Sequence, residues 1–149
     1  MKTDSRARYQ GYTFFFKEGF CWNNILNPQA KLLKSKLKQA TVNDVSSMSL
    51  MSVCSLPNMY FVSLLNSELA FIYYREFINC TVNIQINDLR QMPIIIPTEK
   101  QLQTIYSYFQ KLYHHKKHLF DIGVKDDTTM FELENHMNSI VNALYGINL

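Results

Sequence analysis

Apolar residues return along this chain with two different periods, and the change between them marks out its elements. Tyr12 to Lys17 (YTFFFK) is aromatic and β-prone and stops at the turn-like pair Glu18-Gly19, which predicts a strand over 12–17. Phe20 to Ile25 follows as a short aromatic, amide-rich element. In Lys31 to Lys38 (KLLKSKLK), Leu32, Leu33 and Leu37 can anchor a short helix or a hairpin arm. Thr41 to Val53 shows no clear period and reads as irregular or as short strands. From Asn58 to Ile78 the period becomes helical: Phe61, Leu65, Leu69 and Ile72 share a face that Leu64 and Tyr73 widen. Pro57 and Asn58 mark its start. Val82, Ile84 and Ile86 then alternate with Asn83, Gln85 and Asn87, the period of a half-buried strand or extended segment. Asp88 can cap a single turn over 89–92, and Pro93 to Pro97 reads as a short apolar strand closed by proline.

The C-terminal third is helical in period. Thr98 and Gln101 form a capping-box pattern ahead of a stripe made by Leu102, Ile105, Tyr106, Phe109, Leu112, Tyr113 and Leu119. A loop over 121–128 separates it from a second helix, with Thr129 and Glu132 as its capping box. The second stripe is Leu133, Met137, Ile140, Val141 and Leu144, and Gly146 suits the position just past the end. These helices should pair as an antiparallel hairpin. The expected class is α+β: a small mixed β-sheet packed on helices, followed by the hairpin. Residues 1–97 would form the α+β core and 98–149 the hairpin, within one domain overall.

With 149 residues the chain is long enough for one real core, and no run approaches the ~18 apolar residues of a membrane helix. The first residues hold no signal-peptide stretch, so a cytoplasmic location and no membrane partner are expected. Charge changes the picture more. Residues 1–40 carry eight bases against two acids, whereas residues 41–149 carry seven against ten. That asymmetry suits an anionic partner for the N-terminal third. Cys21, Cys54 and Cys80 fit no CxxC or finger spacing and read as reduced packing residues, so no structural metal is expected.

Glycine-rich nucleotide loops, metalloprotease and hydrolase motifs are all missing, as are the Pro-Pro-Tyr tetrapeptides of adenine methylases. His114-His115-Lys116-Lys117-His118 puts two imidazoles four apart, but the adjoining lysines disfavour a cation, and a polar basic helix face is the better reading. Lys111, Lys116 and Lys117 could contact phosphate there. In the N-terminal third, Arg6, Arg8, Lys17, Lys31, Lys34, Lys36 and Lys38 are the candidates for phosphate contacts. Asn23 and Asn24 are candidates for base edges, since amides pair with adenine. Beside them Trp22 reads as core, and the amides at 83, 85 and 87 read as structural.

Three stretches also resemble known specificity domains. Phe16-Lys17-Glu18-Gly19-Phe20-Cys21-Trp22-Asn23-Asn24-Ile25 is similar to the "F-K-E-G-I-T-W-S-x-I" segment of fused adenine methyltransferases of type II restriction systems and of BREX-type phage defence. Cys21 and Asn23 stand where Thr and Ser are usual. Residues 64–69 with 81–94 resemble the "L-L-N-S-K-x … T-x-N-x-Q-x-x-D-I-x-x-L-P-I" core of the same domains. Type I specificity subunits share a looser version, in which a strand ending in proline leads into a long helix. Asn142 to Ile147 resembles the "L-Y-G-L" ending. The resemblance implies a target-recognition domain whose partners are double-stranded DNA and a methyltransferase domain or subunit. This chain would then hold no cofactor, and S-adenosylmethionine would belong to the missing methyltransferase domain. Three readings follow: a DNA specificity module that is not itself an enzyme, a docking module without direct DNA contact, and a cryptic nuclease or hydrolase. A contiguous basic face favours the first, scattered bases the second, and convergent carboxylates the third.

Overall fold

The computed structural model describes residues 11–42 and 47–147. Three short strands, β1 (Gly19–Asn23), β2 (Lys36–Lys38) and β3 (Ser47–Leu50), form an antiparallel sheet with β1 in the middle. Helices follow: α1 (Asn58–Leu65), α2 (Glu68–Tyr73), α3 (Ile86–Leu89), α4 (Glu99–Asp121) and α5 (Thr128–Leu144). The class is α+β with a C-terminal helical hairpin, as expected. Its sheet is antiparallel throughout and built from other segments than the two expected. Residues 12–14 form a 3-10 turn, and Pro93 to Pro97 joins no sheet among the described residues.

Alternation explains the sheet. Phe20 and Trp22 turn inward, paired with Leu50 and Met48 on β3, and pack on α1; Phe20 stacks on Phe61 at 5.3 Å between ring centroids. Cys21 and Asn23 take the opposite side, level with Ser49 and Ser47. Gly19 has no substitute there, because a Cβ would fall 2.4 Å from the Leu50 carbonyl oxygen. Trp22, 1% exposed, donates its indole N–H to the Ile84 carbonyl at 3.3 Å and ties the sheet to the loop after α2.

The single helix expected over 58–78 is interrupted. Ser67 accepts the Ala70 N–H at 3.1 Å and so starts α2 afresh, while its own hydroxyl donates to the Leu64 carbonyl. Asn66, beside it, pairs its amide with both backbone groups of Ser35, at 2.6 and 2.8 Å, in the manner of a neighbouring strand. After α2 a π-helical turn, Tyr74–Ile78, ends at Asn79. Ile72, expected on the buried face, is 47% exposed.

Residues 79–88 hang on Asp88. Its carboxylate accepts from Asn79 at 2.9 Å, the Gln85 N–H at 2.8 Å and the Tyr74 hydroxyl at 3.4 Å. The segment expected as a strand over 82–86 makes one bridge, Asn83 to Ile25, and then enters α3. Asp88 therefore caps α3 from inside its first turn, and the turn lies earlier than the expected 89–92.

Two apolar clusters share α1 as their common wall. One joins the sheet, α1, α2 and α3 through Trp22, Leu33, Val62, Leu65 and Ile84. The other joins α1 to the hairpin through Tyr60, Ile105 and Met137. Partners across the hairpin run in opposite directions: Lys116 with Asp126, His115 with Asp127, Tyr108 with His136. Thr98 and Gln101 form the expected capping box. Asp127, not Thr129, caps α5, accepting the Met130 N–H at 2.7 Å.

Candidate nucleic-acid interface

The side of the sheet turned away from α1 gathers polar groups from all three strands. Register sets Lys36, Cys21 and Ser49 side by side in one row, with Asn23 and Ser47 opposite each other in the next. Cys21, Lys36, Ser47 and Ser49, with Gln39, Thr41 and Val42, line an open cavity of about 340 Å³ that Asn23 does not reach. An ammonium, hydroxyls and an amide on one face can contact phosphate and base edges together.

Lys38 is set apart from the other candidate cations. It is 7% exposed, and its ammonium donates to the carbonyls of Lys17 at 2.8 Å, Gln39 at 3.2 Å and Thr41 at 2.8 Å. It fastens two loops together, so its charge is committed inside the protein; the expectation that Lys38 contacts phosphate is corrected. Lys36, two residues away on the same strand face, is exposed.

The other candidates fall in three places. Lys17 is exposed, with its ammonium 5.7 Å from the centre of the Phe14 ring. Lys31 and Lys34 are exposed in the loop before β2, and Lys34 holds a left-handed φ of 52°. Lys34 also lies near the turn of the hairpin. There the Asp126 carboxyl is held below its usual range, first by the Lys116 hydrogen bond, with Lys125 and Lys34 adding to the effect. Asn23 is exposed at the end of β1. Asn24 is half-buried, and its backbone carbonyl accepts from the Ile84 N–H at 2.8 Å. Arg6 and Arg8 lie outside the described residues.

The histidine run is dispersed by its partners. His115 reaches across to Asp127, with 2.8 and 3.0 Å to the two carboxylate oxygens, and Lys116 bonds Asp126 and the Lys125 carbonyl. Among the described residues no three donors of His, Cys, Asp or Glu come together as a metal site. Cys21 is buried as expected, but Cys54 and Cys80 are exposed rather than packed.

Sequence reasoning missed Ser47 and Ser49, although Ser-Met-Ser-Leu does alternate, because four residues make a faint period. It also missed the exposed aromatic loop before β1, where Tyr12, Phe14 and Phe16 are 53%, 46% and 68% exposed.

No family model matches the chain, and no curated protein matches it. Among solved structures, the fold is similar to part of the type IIL restriction-modification enzyme MmeI, determined in complex with DNA. The likeness has a TM-score of 0.70 at 11% identity and covers 89% of this chain and 19% of that one. This chain thus spans about a fifth of the enzyme chain it matches, and what the two share is the fold.

Proposed function

We propose that this chain is a DNA target-recognition module of a restriction-modification or phage-defence methyltransferase, and that it carries no catalytic centre of its own. The observation behind this reading is the likeness of nearly the whole chain to one fifth of a restriction-modification enzyme in complex with DNA. The resemblance of residues 16–25 and 64–94 to specificity domains points the same way. In this reading the outer sheet face meets the duplex. Lys36 on that face, with Lys17 in the loop before β1 and Lys31 and Lys34 in the loop before β2, neutralises phosphates, and Asn23, with Ser47 and Ser49 beside it, faces base edges. Asn24 is the second amide candidate. Methyl transfer, and the S-adenosylmethionine it consumes, belong to a separate domain or subunit that the module positions on its target. Docking to that domain is a second role, favoured by the exposed Phe120, Ile122 and Phe131 around the hairpin turn.

The test is a salt series on duplexes enriched by the protein from a random-sequence library. Log K should fall with log[salt] by ~0.9 for each phosphate contact. Changing Lys17, Lys34 and Lys36 together to alanine should flatten that slope by ~2–3 units on every sequence. Asn23→Ala should leave the slope alone and cost ~1–3 kcal/mol on the enriched sequence only. An unchanged slope in the triple variant would remove the sheet face from the interface.

A further inference from the structure

Phe16 has a backbone conformation that its side chain disfavours and a ring that the fold does not use. Its φ is +59°, the left-handed region that bulky residues avoid because Cβ crowds the following carbonyl oxygen. The ring is 68% exposed. The surroundings nevertheless hold this residue in place on both sides. Its own N–H donates to the Thr41 carbonyl at 3.1 Å. The next carbonyl, that of Lys17, is gripped by the buried Lys38 ammonium, which grips Thr41 as well. A 3-10 turn, Tyr12–Phe14, precedes it. A glycine or asparagine would satisfy this backbone without strain. Strain retained at an exposed aromatic, and fixed by a buried charge, points to a ligand for the ring.

The charges around the ring point to the ligand. Lys17 follows it directly and extends over the Phe14 ring, leaving Phe16 the most exposed of the loop's aromatics. Thr41, which holds the Phe16 N–H, also lines the cavity that contains Lys36. A fixed apolar ring beside cations matches a polymer that alternates flat bases with phosphates. We propose that Phe16 is a wedge that inserts against one base step of the bound duplex. This rests on the DNA-recognition reading above. The committed Lys38 thereby gains a role: it makes the loop rigid enough for insertion to unstack a step instead of folding the loop back.

The test uses the single tryptophan of the chain as an internal control. Trp22 is 1% exposed, so its emission should not respond to duplex. In Phe16→Trp, the added indole should be quenched as the library-enriched duplex saturates the protein. Phe16→Leu, still an apolar wedge, should lose clearly less affinity than Phe16→Gly. Phe16→Gly should weaken binding roughly ten- to a hundred-fold, on the scale of one lost stacking contact, while its thermal midpoint holds or rises as the strain is relieved. The wedge is overturned if the indole at position 16 ignores saturating duplex. It is overturned too if Phe16→Gly binds like the wild type, or if its midpoint falls by several degrees, which would make the ring structural. Quenching that needs an attached methyltransferase domain instead of duplex would assign the loop to domain docking and also overturn it. If the library yields no enriched duplex, the DNA reading itself fails, and the wedge with it.

Discussion

The sheet face and the helical hairpin are both rich in bases, but they use them differently. In the hairpin, Lys116 is bonded to Asp126 and His115 to Asp127, the two contacts of a basic side chain with a carboxylate found among the described residues. These contacts close the turn between α4 and α5. On the sheet side, Lys17 and Lys36 face solvent without a carboxylate partner among the described residues, and only Lys38 is turned inward. A count of positive charge would rate the two regions alike. What matters for an anionic partner is the balance with acids: residues 98–149 set five lysines among six carboxylates, whereas residues 17–38 set five lysines beside Glu18 alone. A further distinction holds on a single strand, where Lys36 and Lys38 differ only in what surrounds them.

The largest expected effect tests that last pair. Lys38→Ala takes the ammonium from three carbonyls, of which those of Gln39 and Thr41 keep a second donor, and should cost about 2–3 kcal/mol in denaturant unfolding. Lys36→Ala should stay within ~0.5 kcal/mol of the wild type and lower DNA affinity instead. Equal stability losses would erase the contrast.

A second effect concerns how the hairpin joins the rest. The Tyr60 hydroxyl donates to the Ile95 carbonyl at 2.6 Å and the Tyr145 hydroxyl to that of Pro93. Burial pushes the Tyr60 phenol up to about 12, and raises Tyr145 as well. An unfolded tyrosine ionises near 10, so the folded state holds these protons longer. Their contribution is complete below pH 10 and is lost as the pH climbs toward 12. Tyr60→Phe should flatten this alkaline loss in circular dichroism titrations; an unchanged curve would remove Tyr60 as its source.

Acid should act on the hairpin turn alone. The Asp127 carboxyl is held below its usual 3.8, first by the His115 contact and next by the Met130 N–H that it caps. For a depressed carboxylate, the stabilisation is present above the unfolded value and disappears as pH falls through the folded one. Helicity should therefore drop below pH 4 before the emission of Trp22, on the sheet, changes. Simultaneous loss would mean that the two regions unfold as one unit. The smallest effect is that of the exposed Lys116–Asp126 pair, whose removal by Lys116→Ala should change stability by no more than ~0.5 kcal/mol in 0.15 M salt. A larger loss would give this pair a structural weight that the comparison denies it.

Much of this was legible in the sequence, for physical reasons that can be named. α4 and α5 were, because 23 and 17 residues carry several turns of a 3.6 period, and Thr98 with Gln101 forms a local cap that needs no tertiary partner. The start of α5 was misjudged because Asp127 serves both the cap and His115, a contact from another helix. The break at Asn66 and Ser67 had a signal in two adjacent cap-forming residues, but a continuous stripe outweighed it. Tyr12 to Lys17 read as a strand because aromatic propensity describes how well side chains fit a half-buried sheet. No strand among the described residues pairs with it, and Phe16 turns left-handed. Pro93 to Pro97 is apolar and extended but is held by two phenols instead of a ladder. At the candidate site, the exposure of Lys36 followed from its charge alone. The inward turn of Lys38 did not, since the carbonyl of Lys17, 21 residues away, joins those of Gln39 and Thr41 in deciding it.

The alternation along β1 has a consequence for how such a protein can change. Phe20 and Trp22 hold the core, while Cys21 and Asn23, interleaved with them, belong to the opposite surface. The two roles are divided within five residues of one strand. Substitutions at 23, 36, 47 and 49 can therefore accumulate with little effect on folding, so this surface can change while the scaffold stays constant. The same division makes these four positions the natural sites for a library that varies this surface on an unchanged fold.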